Sequence, residues 1–83
     1  MNKNTTKIMV CYRDPDGAVR AWASGPSNMQ DEVERVAADQ LARYQERKAL
    51  VGDPLATAEY TMAVETLDSA PGQATKALAE SLD

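Results

Sequence analysis

Residues 7–24 have the sequence KIMVCYRDPDGAVRAWAS, in which two runs rich in β-branched and aromatic side chains flank the tetrapeptide DPDG. Such runs are typical of β-strands. In the tetrapeptide, Pro15 fixes the φ angle of the first central turn position, and Gly17 supplies the positive φ of a type I turn followed by a bulge. The sequence therefore predicts a β-hairpin with strands at residues 7–13 and 18–24.

The turn also sets a predicted strand register. Pairing Asp14 with Ala18 and counting back places Val10 opposite Trp22 on one face of the hairpin. The other face then carries Cys11 and the residues two positions before and after it, Met9 and Arg13, so both faces are at least partly apolar. One helix cannot cover both faces of such a hairpin.

A long helix is predicted after the hairpin, which ends at Gly25-Pro26. Ser27 and Gln30 have the spacing of a capping box. Apolar residues then recur at the three- and four-residue spacing of one helix face, until Gly52 and Pro54 mark the end. These apolar positions are Met29, Val33, Val36, Ala37, Leu41 and Tyr44. The predicted helix runs from about residue 28 to residue 50.

The rest of the chain completes the predicted fold. Residues 56–67 fit a strand or a helix, and alternation at Tyr60, Met62 and Val64 favours a strand. A right-handed crossover would place this strand antiparallel beside the first. The fold class is therefore predicted as α+β, ββαβ, with an antiparallel three-stranded sheet (order 2-1-3) packed on one long helix.

The chain of 83 residues is expected to form one domain, residues 1–83. Within it, residues 1–6 are expected to be a flexible start. Residues 69–83 are expected to be a tail or a short C-terminal helix, whose apolar side would carry Ala74, Ala77, Leu78 and Leu82. No apolar run is long enough to span a bilayer. Cys11 is the only cysteine, which fits a reducing compartment, so the predicted location is cytoplasmic.

The residue types argue against catalysis. The chain has no histidine, so the common serine and cysteine nucleophile systems and most zinc sites cannot be assembled. Asp14 and Asp16 resemble the start of a calcium loop, but Gly25 stands where that loop needs a bidentate glutamate. Basic residues are few and are not interleaved with aromatic ones. We expect no enzyme activity, no cofactor, no metal site, and no direct nucleic-acid or membrane binding.

The charge distribution suggests what the protein binds. The net charge is −4, and residues 53–83 carry six acidic side chains against Lys76 alone. An acidic surface attracts a basic partner. The predicted partner-binding residues are the acids of the helix and of the segment beyond it, together with Trp22 as an aromatic anchor. The acids are Asp31, Glu32, Glu34, Asp39, Glu59, Glu65 and Asp68.

In size, acidity and hairpin–helix–strand plan, the chain resembles the small inhibitor proteins of phages and mobile elements, anti-CRISPR proteins among them. This general resemblance implies a non-catalytic inhibitor that docks on a larger protein, such as a nucleic-acid-binding complex, and it transfers no functional residue. A different hypothesis is a structural subunit that forms a homodimer through a sheet face left open by the helix.

Overall fold

The computed structural model describes residues 6–68 and 70–80. Its elements are strand β1 (Lys7–Arg13), strand β2 (Val19–Pro26), helix α1 (Gln30–Leu50), strand β3 (Thr61–Thr66) and helix α2 (Ala70–Glu80). The strands form an antiparallel sheet of order β2-β1-β3, which confirms the predicted fold class. The flexible start predicted for residues 1–6 lies, apart from Thr6, outside the described residues, and so does Leu82.

The hairpin turn is formed by local hydrogen bonds, as its sequence predicts. Gly17 has a φ of 88°. Its N–H donates to the Asp14 carbonyl at 2.9 Å, and the Asp14 N–H donates to the Ala18 carbonyl at 2.9 Å. The Asp14 carboxylate is buried and accepts from the N–H groups of Asp16 and Ala18 and from Arg20 Nε. One side chain thus ties together the turn and the first residues of β2.

The predicted strand register is wrong beyond this turn. Arg13 pairs with Val19, but Tyr12 pairs with Ala21, which leaves Arg20 as an extra residue in a β-bulge. A shift of one residue moves every later side chain to the other face. Trp22 therefore lies opposite Cys11 rather than opposite Val10.

Helix α1 starts later than the capping box predicts. A 3-10 turn at Ser27–Met29 precedes it, and neither turn nor helix has a side-chain cap at its N-terminus. The Ser27 N–H donates to the Thr6 carbonyl instead, and the Gln30 side chain donates to Glu34. The predicted end is confirmed: the helix stops at Leu50, and Gly52 has a φ of 71°.

Helix α1 covers one face of the sheet, and its contacts are concentrated on β2 and β1. The core on this side is lined by Ile8, Val10, Ala23, Val33 and Ala37, with Tyr12 packed against it. Of the predicted apolar helix positions, Val33 and Ala37 are buried, Leu41 and Tyr44 are half-buried, and Met29 and Val36 are exposed. The helix phase is correct, but the buried stripe is narrower than predicted.

Helix α2 covers the opposite face, where Met9, Cys11, Val19 and Ala79 are buried and Trp22, Ala63 and Leu67 pack around them. Its buried positions are Gly72, Thr75 and Ala79. The predicted apolar side is wrong, because Ala74, Ala77 and Leu78 are exposed. Small residues face the sheet because the helix lies close to it: a Cβ on Gly72 would collide with the Thr66 carbonyl.

Candidate binding groove along strand β2

The clearest concave surface runs along the outer edge of β2, the strand that pairs only with β1 among the described residues. The groove has a volume of about 500 Å³. Residues 20–24 of β2 form its floor, and Val36, Gln40, Tyr44 and Arg47 of α1 form one wall. Ala79 of α2 closes the other side. We call this surface the β2 groove.

An apolar depression of about 260 Å³ continues the β2 groove towards the end of the strand. The two share Ala23, Ser24 and Val36, so they form one elongated surface. The depression is lined further by residues 25–26 and by Met29, Glu32 and Val33. Met29 is 48% exposed and Val36 49% exposed, which is high for large apolar side chains.

Two arginines line the groove at the end nearest the hairpin turn. Arg20 is fixed by its 2.8 Å ion pair with Asp14, whose side chain is almost fully buried. This hydrogen bond holds the pKa of the Asp14 carboxyl below its usual value and raises the pKa of Arg20. Arg47 lies 6.0 Å from the centre of the Tyr44 ring, and no carboxylate in the described part of the chain pairs with it. Within the described residues, the Arg47 guanidinium is therefore open to an acidic group of a ligand.

The opposite end of the molecule carries the predicted acids of α1. Helix α1 begins where β2 ends. Asp68 follows β3 at this same end of the sheet, which two contacts of Lys7, at the start of β1, show. Lys7 pairs with Pro26 at the end of β2, and its carbonyl accepts from the N–H of Leu67, just after β3. The fold thus brings four predicted acids to one end of the sheet. We call this surface the acidic end; it consists of Asp31, Glu32, Glu34 and Asp68.

The remaining predicted acids are not part of the acidic end. Asp39 lies farther along α1 and pairs with Arg43 at 3.2 Å. Glu59 precedes β3 at the hairpin end, since β3 begins opposite Arg13. Glu65 pairs with Met9, whose side chain lies in the core on the α2 side. The acids therefore do not form a single surface beside α1.

Trp22, the predicted aromatic anchor, lines the β2 groove and also packs against the core beneath α2. Sequence reasoning did not identify Arg47, Met29 and Val36 as surface ligand-binding candidates. From the sequence, Arg47 is only a basic residue near a helix C-terminus, where positive charge is favourable, and the helical spacing predicts Met29 and Val36 as core. The exposure of Met29 and Val36 depends on how α1 leans across the sheet, which no local sequence signal encodes.

Two further polar clusters lie around Cys11 and around Tyr60. Burial raises the pKa of the Cys11 thiol, an effect that Glu65 adds to and Arg13 opposes. Tyr60 donates to the Leu55 carbonyl, and its burial raises its pKa. Within residues 6–68 and 70–80, no group of three or more Cys, Asp or Glu side chains is placed to hold a metal ion. Cys11 is fully buried, so the thiol of the first cluster is not exposed to a ligand, and Glu65 beside it pairs with Arg13.

Comparison with known proteins adds no assignment, because no family model, no curated protein and no solved structure matches the chain. None of the helices in the described residues is long and apolar enough to cross a membrane.

Proposed function

We propose that this chain is a non-catalytic binding protein that docks on a larger, basic protein. The observation that carries the proposal is the apolar depression bordered by the acidic end. Met29 and Val36 expose about half of their surface there. Glu32 lines the same depression. Contact through this depression would remove apolar surface from water, and the acids around it would attract a basic partner.

The acids and the apolar residues have different roles in this proposal. Glu32 is already paired with Arg35, and both side chains are well exposed. Exposed pairs contribute little to affinity but steer association. The apolar side chains at the centre of the contact would contribute most of the binding energy.

Site-specific photo-crosslinking tests the location of the contact. A photoreactive amino acid would replace Met29 in the depression, and in a control variant it would replace Ala49, an exposed residue at the other end of α1. In cells that make the protein, we expect the Met29 variant to crosslink to a discrete protein and the Ala49 variant not to. Equal crosslinking of the two variants would contradict the proposed site.

Charge reversal tests the basic character of the partner captured in this way. We expect the triple variant Asp31→Lys, Glu34→Lys, Asp68→Lys to slow association and weaken its dependence on ionic strength. The matched control reverses Asp16, Glu46 and Glu59, which are exposed and lie elsewhere. If association is slowed equally in both triple variants, the effect comes from net charge and not from the location of the acidic end.

The partner class follows from the resemblance to phage-type inhibitors: a cytoplasmic nucleic-acid-binding complex whose basic surface the acidic end would occupy. The buried, reduced Cys11 is compatible with that compartment. If this is correct, the captured protein should lose nucleic-acid binding when the inhibitor is added. Undiminished nucleic-acid binding in the complex would contradict inhibition but leave docking intact.

A homodimer is a second candidate, and one observation favours it. On the α1 side of the sheet, Met62 is 44% and Val64 39% exposed, because α1 packs mainly on β2 and β1. A second copy could cover this part of β3. Sedimentation equilibrium would then show a dimer that Val64→Lys converts to a monomer, with Thr57→Lys, an exposed loop position, as the control. A monomer at all concentrations would exclude this candidate.

A further inference from the structure

The depression occupies only the end of the outer edge of β2, and the rest of that edge, beside residues 20–24, lies in the β2 groove. An edge strand presents a row of unpaired N–H and C=O groups, and proteins often guard such edges with lysine, proline or a covering segment. The middle of β2, residues 21–24, carries no charged residue and no proline. Three small side chains, Ala21, Ala23 and Ser24, keep the floor of the groove close to the backbone. The middle of this edge therefore lacks a guarding charge or proline, and among the described residues it borders an open groove.

The charges along this edge differ from one end to the other. Near the hairpin turn, the groove is lined by Arg20 and by Arg47, whose guanidinium has no acidic partner in the described chain. At the other end, Glu32 lines the apolar depression and pairs with Arg35, and Asp31, the residue before Glu32, carries a second negative charge. A ligand lying along the whole groove would match these charges with an acidic group at the first end and a basic group at the second.

We propose that the partner supplies an extended segment that adds to β2 as a fourth, antiparallel strand. Its acidic residue would pair with Arg47, its basic residue would lie beside Glu32, and apolar side chains between them would enter the groove and the depression. The inference rests on the proposed function and specifies how docking occurs. Main-chain hydrogen bonds would provide affinity, and the charges would fix direction and register. The antiparallel direction is part of the proposal and would continue the antiparallel ladder that β2 forms with β1.

Two octapeptides of the length of β2 serve as probes. The first has the sequence Lys-Lys-Thr-Val-Thr-Val-Asp-Asp, and the second carries the aspartates first and the lysines last. They have the same composition and net charge. When added antiparallel, only the first places its carboxylates beside Arg47. Binding is followed by NMR through the backbone amide shifts of the full chain.

We expect the first peptide to bind about fivefold more tightly than the second, from the exposed charge pairs at its two ends. The shifts should concentrate in β2 and in the facing residues of α1. N-methylation of alternate peptide residues, on the edge that would face β2, should abolish binding. Arg47→Glu should remove the preference for the first peptide, whereas Arg43→Glu, an exposed residue outside the groove, should not.

Binding that survives N-methylation, equal affinities, or shifts confined to β3 would each overturn strand addition. These results are distinguishable from a failure of the proposed function. If the Met29 variant still crosslinks to a protein while the peptides fail, docking stands and strand addition is wrong. If the peptides bind as expected while no protein is captured, strand addition remains supported as a property of the groove, and the proposal of a larger protein partner is contradicted.

Discussion

The two edges of the sheet differ in what covers them. Beside β2, helix α1 forms a wall and α2 contributes Ala79, so the edge lies in a groove with charged ends. Beside β3, Met62 and Val64 remain exposed on the α1 side, and only α2 lies beneath the strand. Helix α1 creates both surfaces, because it packs on β2 and β1 and leaves the α1 side of β3 uncovered. One edge therefore suits a narrow ligand, and the other suits a broad apolar contact.

The largest expected effect separates a buried methionine from an exposed one. Met9 is fully buried beneath α2, whereas Met62 is 44% exposed at the β3 edge. Truncating a buried methionine removes apolar contacts and leaves a cavity. We expect Met9→Ala to lower the free energy of unfolding by about 3 kcal/mol and Met62→Ala by less than about 0.5 kcal/mol. Urea unfolding measures both, and equal losses would show that β3 is covered.

The next largest loss of stability is expected at one of two glycines. An added Cβ on Gly72 would meet the Thr66 backbone, whereas on Gly25 it would meet only the Val33 Cγ2 methyl at 2.8 Å. Backbone atoms are displaced by an added methyl group less readily than the end of a side chain. We expect Gly72→Ala to cost about 3 kcal/mol and Gly25→Ala about 1 kcal/mol by thermal unfolding. If Gly72→Ala is harmless, α2 does not lie this close to β3.

A smaller effect concerns the Asp14–Arg20 pair, which fixes one end of the β2 groove. Asp14→Asn retains an acceptor for the Asp16 and Ala18 N–H groups but loses the ion pair with Arg20. We expect a modest loss of stability at neutral pH. The loss should be smaller than that of Met9→Ala, because most of the turn hydrogen bonds remain.

The pH dependence of this variant has a defined sign. Arg20 holds the folded-state pKa of Asp14 below its unfolded value, so its stabilising contribution is complete above the unfolded pKa of about 4. The contribution is lost as pH falls through the folded pKa. The stability difference between the two proteins should therefore shrink in acid. A difference that stays constant from pH 7 to pH 2 would show that Asp14 is not ionised in the pair.

The last effect is on reactivity rather than stability. Cys11 is fully buried, and burial raises the pKa of its thiol, so little thiolate is exposed to a labelling reagent. At pH 8 we expect slow labelling that accelerates in denaturant. A Cys11→Ala, Met62→Cys variant should react rapidly, because its thiol lies at the exposed edge. Fast labelling of the native chain would contradict the packing of α2 on this face.

The sequence predicts the elements whose signals are local. Asp14, Pro15 and Gly17 determine the turn within four residues, and the spacing of Val33 and Ala37 determines the buried side of α1. Strand order follows from connection rules applied to these elements. The fold class could therefore be predicted without any tertiary contact.

The candidate site could be predicted only in part. Trp22 lines the β2 groove and Glu32 lines the depression, and their predicted role in partner binding stays a prediction. The face that Trp22 occupies is set by the bulge at Arg20, which the sequence does not predict. Asp68 lies at the same end of the sheet as Asp31 only because β3 pairs with β1. The availability of Arg47 depends on which carboxylates lie near it, and that is a property of the folded chain.

The position of β1 also has a consequence for synthesis. Strand β1 leaves the ribosome before β2 and β3 and becomes the central strand of the sheet. Its pairing with β3 joins residues far apart in the chain, such as Ile8 and Thr66. Local hairpin pairing can form early, whereas this distant pairing must wait for loop closure. Until then, the nascent hairpin exposes an unpaired edge of KIMVCYR, the most apolar of the three described strands. We therefore expect β1 to be the strand most open to intermolecular pairing during translation, although Ile8, Met9, Val10 and Cys11 are buried in the folded chain.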